Sequence, residues 1–183
     1  NGGDQEGVGY FQRIIKGRRR VSAARGYLKP ALKRPNLRLI TRAVAAKVLF
    51  DGNRAIGVEY ITGEGRGERR VLKARRQVVL SSGTVNTARL LQLSGVGRQD
   101  DLERIGVPVV SERAGVGRNL RDHYSVRVVA RARGSVTINE YAKAPRLWAQ
   151  QMRWLFGLPS IITLSPSLVH IFAKSREGPE TPD

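Results

Sequence analysis

Residues 77–97, QVVLSSGTVNTARLLQLSGVG, decide how this sequence is read. Val78, Val79 and Leu80 form a short continuous apolar run, the pattern of a strand buried on both faces. Ser81, Ser82 and Gly83 supply a small-residue turn, and the next ten residues predict a helix with Leu90, Leu91 and Leu93 apolar. Ser94-Gly95-Val96-Gly97 closes it. Strand, small turn and helix in that order place backbone N–H groups and a helix N-terminus where they can receive an anion. From these residues alone two uses of Gly83 stay open. It lets a cofactor approach the backbone closely, or it only lets the helix pack against its own sheet.

Upstream, Leu37, Leu39 and Thr41 alternate with Arg38 and Ile40 as a strand needs, and AVAAKVLF (43–50) reads as a second strand turned by Asp51-Gly52-Asn53. Residues 55–61 form a third, GEGRGERR (63–70) a polar hairpin tip, and Val71 and Leu72 a return strand. Residues 37–73 thus predict a small antiparallel meander. Before it, Tyr10, Phe11, Ile14 and Ile15 form a short extended piece ending in the GRRR turn. Ser22 then caps a helix that Pro30 limits and that ends near Lys33. Downstream, residues 99–105 predict a short helix capped by Gly106, and residues 107–110 a strand that Pro108 places at an edge. A loop runs from Gly115 through Asn119, Asp122 and His123. Residues 125–132 alternate as a strand, a helix extends from Asn139 or Glu140 to about Phe156, and residues 163–173 carry a last strand. Composition shifts near Asp122, between an α/β part and a second sheet-and-helix part.

The chain has 183 residues, 40% of them hydrophobic, with 33 Lys and Arg against 15 Asp and Glu, a formal charge of +18. It is too apolar to be mostly disordered and long enough for one domain or two small ones. With no Cys and two His, disulfides, iron–sulfur clusters, thiolate zinc and cysteine nucleophiles are excluded. The opening NGGDQEGVGYFQ shows no hydrophobic signal segment, and no apolar stretch reaches the roughly 20 residues of a membrane span. The expectation is a soluble, cytoplasmic chain. The charge would attract polyanions, yet the basic residues sit beside turns and strand edges, with no zinc-finger spacing, no aromatic pair in a basic strand and no helix-turn-helix. Specific nucleic-acid binding is therefore not expected. A basic polyanion-binding module and a non-catalytic interaction fragment remain as alternatives.

Local motifs are sparse. Gly115-x-Gly117 stands four residues past its strand and leads into a strand rather than a helix, so it is not a dinucleotide fingerprint. His123 beside Asp122 invites a catalytic pair, but neighbours in a strand face opposite ways. His170 lies in an apolar run with Leu168, Val169 and Ile171, as a core or cleft histidine does. The two separated His and scattered acids make no metal set.

The run GTVNTARLLQLSGVG resembles the second signature of the glucose-methanol-choline (GMC) family of FAD-dependent oxidoreductases. EGVGYFQRIIKGRRRVSAARGYLKPAL, RPNLRLITRAVAAKVLFDGNRAIGVEY, VVLSSGTVNTARLLQLSGVG, GVPVV and AGVGRNLRDH are similar, in order, to successive blocks of its choline-dehydrogenase-like members. SVTINE and KSREGPETPD resemble substrate-domain blocks. The resemblance implies a mixed α+β, α/β architecture. Residues 1–34 would border the flavin and substrate cleft, residues 35–122 would form part of the FAD-binding domain with the meander and a buried strand–helix unit, and residues 123–183 part of the substrate-binding domain. It also implies FAD as cofactor and a small-molecule alcohol as substrate, oxidised at its CH–OH group by hydride transfer to flavin. Val44, Ser82, Gly83, Thr84, Asn119 and Asp122 are the implied cofactor residues, and His170 and Phe172 would line or back the substrate cavity. Ala88 departs from the Pro or Ser usual in that signature. Family members are about three times longer, opening with a GxGxxG loop and carrying the catalytic His near their C-terminus. Neither is present here, so no residue is assigned as catalytic and none as a metal ligand. The expectation is a central fragment, inactive alone, prone to self-association through exposed core surface, and membrane-associated only if its electron acceptor is a respiratory quinone.

Overall fold

The structure, a computed structural model, describes residues 6–164 and 168–178. The first five residues, the middle of the 163–173 stretch and the end of KSREGPETPD lie outside the described residues. In chain order the elements are β1 (Gly7–Tyr10), β2 (Ile15–Lys16), β3 (Arg19–Arg20) and a π-helical turn (Ala24–Leu28) running into α1 (Lys29–Ala31). Next come β4 (Val44–Asp51), β5 (Arg54–Ile61), β6 (Arg69–Lys73), α2 (Thr84–Leu93), β7 (Val96–Gly97), α3 (Gln99–Arg104) and β8 (Ser111–Glu112). The chain continues with α4 (Ile138–Tyr141), α5 (Arg146–Leu155) and β9 (Val169–Phe172). Residues 39–127 form one unit, and residues 1–38 with 128–183 the other.

In the unit spanning 39–127, β4, β5 and β6 make an antiparallel meander in that order. Gly57 in β5 is dictated by close approach: a Cβ there would lie 2.5 Å from the Leu72 carbonyl oxygen. β4 is an edge strand, and its outer side is closed by α2 through one side chain. The Ser94 hydroxyl accepts a hydrogen bond from the Val48 N–H at 2.8 Å and donates to the Leu90 carbonyl at 2.5 Å. Val48, Leu90 and Ser94 are all buried. The helix then stops because Gly95 takes φ +84°, and a Cβ there would lie 2.5 Å from the Pro108 carbonyl oxygen. The Gly95 carbonyl accepts from the N–H groups of Val110 and Ser111, and the Gly97 carbonyl from that of Arg113. β7 thereby pairs in parallel with β8, and Leu102 of α3, fully buried, fills the space beneath.

In the other unit, β1 and β9 pair antiparallel with Gly9 opposite His170, and β2 and β3 make a hairpin. Arg18, at its turn, donates to the carbonyls of Trp154 and Leu155, while the Trp154 indole N–H returns a bond of 3.0 Å to the Arg18 carbonyl. The guanidinium also lies 5.3 Å from the indole ring centre. This closes the C-terminus of α5, whose last carbonyls lack helical partners. The Ser22 hydroxyl accepts from the Arg25 N–H at 3.3 Å, as the sequence suggests, and its carbonyl accepts from the N–H groups of Arg25 and Gly26.

The mixed α/β class, the three-stranded meander and the helix at 84–93 agree with the sequence reading, but several expected elements are absent. Residues 78–80 are not a strand: none of the described strands pairs with them, and Val79 is 71% exposed. The buried strand–helix unit therefore consists of its helix and turn only. An apolar run becomes a buried strand only where a ladder exists on either side. The same reason applies to residues 37–41 and 125–132, which pair with nothing described and leave Val128 and Val129 almost fully exposed. The edge strand expected at 107–110 is displaced to Ser111–Glu112. The long helix over 139–156 is two helices, because Pro145 lacks an N–H and cannot continue α4.

Removing the Ser94 hydroxyl strands a buried N–H and a buried carbonyl together. Ser94→Ala should cost about 2 kcal/mol or more in urea unfolding followed by circular dichroism. Gly95→Ala should cost about 2 kcal/mol from backbone strain and crowding at Pro108. A loss under about 0.5 kcal/mol for either would contradict this account.

Candidate functional site

The helix α2 forms a wall shared by two cavities of the 39–127 unit. One, of about 570 Å³, lies between α2 and the sheet and is lined by Val44, Lys47, Ser82, Asn86, Arg89 and Leu90 among others. The other, of about 1000 Å³, lies on the opposite flank, between α2 and the loop 115–121. Arg89 lines both. Together they have the size range of small-molecule and cofactor sites.

At the head of this wall the helix start is open. Gly83 takes φ +84° as the residue before α2, and nothing lies within 4 Å of where its Cβ would be. No side chain caps the N-terminus, and the first turn holds no acid. Its leading N–H groups and the positive end of the helix dipole are thus left uncompensated by protein. The space at Gly83 is open, so no sheet is packed tightly against it.

The facing loop is held by two anchors. Gln92 Nε2 reaches the Val116 carbonyl at 3.4 Å, and Gly117, at φ +78°, leaves space for that amide. Arg118 binds Asp101 Oδ2 at 2.7 Å, and Arg104 engages the other oxygen of the same carboxylate. The Arg118 hydrogen bond, with Arg104 and Arg98 adding their charge, holds the Asp101 carboxyl below the usual aspartate range. Sequence reading missed Gln92 and the Arg118–Asp101 pair. Gln92 could have been found two turns along the face of α2 that begins at Thr84, but a pair 17 residues apart leaves no periodic trace.

The expected cofactor residues divide between the two cavities. Val44 and Ser82 line the first, and Gly83, Thr84 and Asn119 line the second. Val44 sits under the hairpin tip, its Cγ2 3.4 Å from a Cβ built on Gly65. Asn119 adopts φ +58°. Asp122 lies outside both linings, its carboxylate accepting from the His123 N–H at 2.7 Å. Both of those side chains are almost fully exposed, which does not make a catalytic pair. In the other unit, His170 lies between Phe11 and Phe172, with ring centres 4.8 and 5.1 Å away. Its imidazole fits over Gly9, where a Cβ would lie 3.0 Å from Nε2. Phe172 is 43% exposed. That unit's own cavities are lined instead by residues of the β2–β3 hairpin, α5 and the turn 161–164. No cluster of three or more metal-ligating side chains occurs among the described residues.

The sequence and the fold have known counterparts. The family model described as GMC oxidoreductase matches residues 1–125. The choline dehydrogenase of Mus musculus mitochondria is 38% identical over all of this chain, which covers 30% of that protein. The oxygen-dependent choline dehydrogenase of Brucella anthropi is 37% identical over the same extent, 33% of its length. A Pseudomonas putida enzyme of that name is 51% identical over 124 residues, 67% of this chain and 22% of that protein. Among solved structures, a fungal aryl-alcohol oxidase superposes with a TM-score of 0.77 at 23% identity, over 93% of this chain and 30% of that one. An FAD-dependent oxidoreductase from Chaetomium thermophilum gives 0.73 at 24%, over 90% and 29%. The chain belongs to the GMC oxidoreductase family and has its fold, and it spans about a third of the length of these relatives.

Because the Asp101 carboxyl titrates lower in the folded than in the unfolded chain, its stabilisation is present above the unfolded pKa, about 3.9. It is lost as pH falls through the lower folded value. Acid unfolding should therefore steepen below about pH 4, and Asp101→Asn should flatten that limb while lowering stability at neutral pH. Equal pH dependence of the two proteins in denaturant melts would refute the assignment.

Proposed function

We propose that this chain supplies the adenosine-side cofactor wall and part of the substrate-binding region of an FAD-dependent oxidoreductase that oxidises the CH–OH group of a small alcohol. The observation that carries this reading is the uncapped N-terminus of α2 behind an unobstructed Gly83, with a cavity on either flank. A flavin dinucleotide has an adenosine portion and a pyrophosphate, and the residues present suit both. Val44, Ser82 and Asn86 offer an apolar and amide-bearing pocket for the adenosine. Gly83, Thr84 and Asn119, with Arg89, offer backbone N–H groups and positive charge for the phosphates. When bound, FAD supplies the hydride-accepting ring.

In this reading Asp122 borders the passage from cofactor to substrate, and the 1–38 and 128–183 unit contributes to the substrate side. Hydride transfer also requires a base near the substrate hydroxyl. The described residues offer His123, fully exposed and outside both α2 cavity linings, and His170, held between two phenylalanines of the other unit. The chain by itself therefore does not turn over alcohols. No described helix is long and apolar enough to cross a membrane.

The test is binding of FAD and ADP to the purified chain by equilibrium dialysis. Gly83→Val imposes a side chain at positive φ in the open corner and should weaken both ligands about tenfold or more. Equal affinity of the variant would remove the cofactor reading. With FAD, a dye acceptor and a panel of alcohols, no turnover should appear above the flavin-only blank.

The exposed apolar run at Tyr124, Val126, Val128 and Val129 should also drive self-association. Val126→Glu with Val128→Glu should lower the sedimentation coefficient toward that of a monomer. An unchanged distribution, or a parent chain that is already monomeric, would count against it.

A further inference from the structure

The cavities of the 1–38 and 128–183 unit are rich in arginine. The first, of about 410 Å³, is lined by Arg13, Arg18 and Arg20 together with Ile14, Ile15 and Ile162. The second shares Arg13 with the first and adds Arg153. No carboxylate lines either. The acids described in this unit are engaged or placed elsewhere: Glu6 pairs with Lys174 at 3.6 Å, Glu140 accepts from the Thr137 N–H at 2.8 Å, and Glu177 lies outside both linings.

The arginines are not equivalent. Arg18 is fixed by the Trp154 and Leu155 carbonyls, and Arg153 by the Pro159 carbonyl. Arg13 and Arg20 have no hydrogen-bond or ion-pair partner for their side chains among the described residues. Two exposed arginines with open donors thus belong to the lining of a cavity whose other residues include Ile14, Ile15, Ile162 and Leu164. A guanidinium fork matches a carboxylate or phosphate. A quaternary ammonium is repelled by the same groups, and the indole of Trp154, which could attract one, already carries Arg18.

We infer that the alcohol served by this chain carries an anionic oxygen group, held by Arg13 and Arg20, on a short apolar body, rather than an ammonium group as choline does. This rests on the oxidoreductase reading above for the identity of the ligand as a substrate, but the binding site stands on these residues alone.

The experiment titrates the flavin-free chain with 4-hydroxybutyrate, glycerol 3-phosphate and choline at one ionic strength, following intrinsic tryptophan fluorescence, since Trp154 touches Arg18. At least one of the two anions should bind saturably, about tenfold or more tighter than choline. Comparing the two anions tells carboxylate from phosphate. Arg13→Gln with Arg20→Gln should weaken the anion about tenfold with an unchanged circular dichroism spectrum, and Arg13→Lys with Arg20→Lys should retain more of the affinity. Choline binding as tightly as the anions, absence of saturation by either anion, or a Gln pair that binds like the parent would overturn the proposal. Gly83→Val should leave this titration unchanged while it weakens FAD, so the two readings fail separately.

Discussion

One serine hydroxyl joins the sheet to the helix that defines the candidate site. Ser94 stands where α2 must end and where the outer edge of β4 would otherwise be open, and it answers both needs with one oxygen. The bond it accepts removes an unpaired strand N–H from the interior. The bond it donates satisfies a carbonyl that the end of the helix has released. Gly95 then turns the chain so abruptly that the next residues can lie along β8. The Ser-Gly-Val-Gly run is thus the joint between meander and helix, which explains in physical terms why it closes the family's motif.

From that joint the position of the wall between the two cavities follows. With the C-terminal end of α2 pinned to β4, its N-terminal end is presented with Gly83 at its tip, and its two flanks face the sheet and the 115–121 loop. The loop depends on the same helix through Gln92 and on α3 through the Arg118–Asp101 pair. Exposed ion pairs contribute little to stability, but this carboxylate is bridged by two guanidiniums and holds Arg118 beside the cavity it lines. Part of the large positive charge is thus balanced locally, as it is at Arg69 with Glu59 and Arg70 with Glu68.

Much of this was legible in the sequence where local chemistry decides the outcome. The Asp51-Gly52-Asn53 turn, the alternation of β4 and β5, the small residues before Thr84 and the glycine after Ser94 each carry their own explanation, and the helix at 84–93 lies where the pattern puts it. Reading failed where a segment needs a distant neighbour. Val78–Leu80 and residues 125–132 have strand composition but no ladder among the described residues. The helix expected over 139–156 is divided at Pro145, where the missing N–H overrides the apolar periodicity. Gly83, Thr84 and Asn119, which the sequence offers through contiguous motifs, line one cavity together. Gln92 and Arg118 act through contacts that only the fold creates.

Because α2 separates the two cavities as a single rigid partition, their widths are not independent. A tilt of its free N-terminal end toward the meander would narrow the pocket holding Val44 and Ser82 and open the one holding Asn119, with Ser94 as pivot. Whatever fills one compartment therefore bears on the aperture of the other.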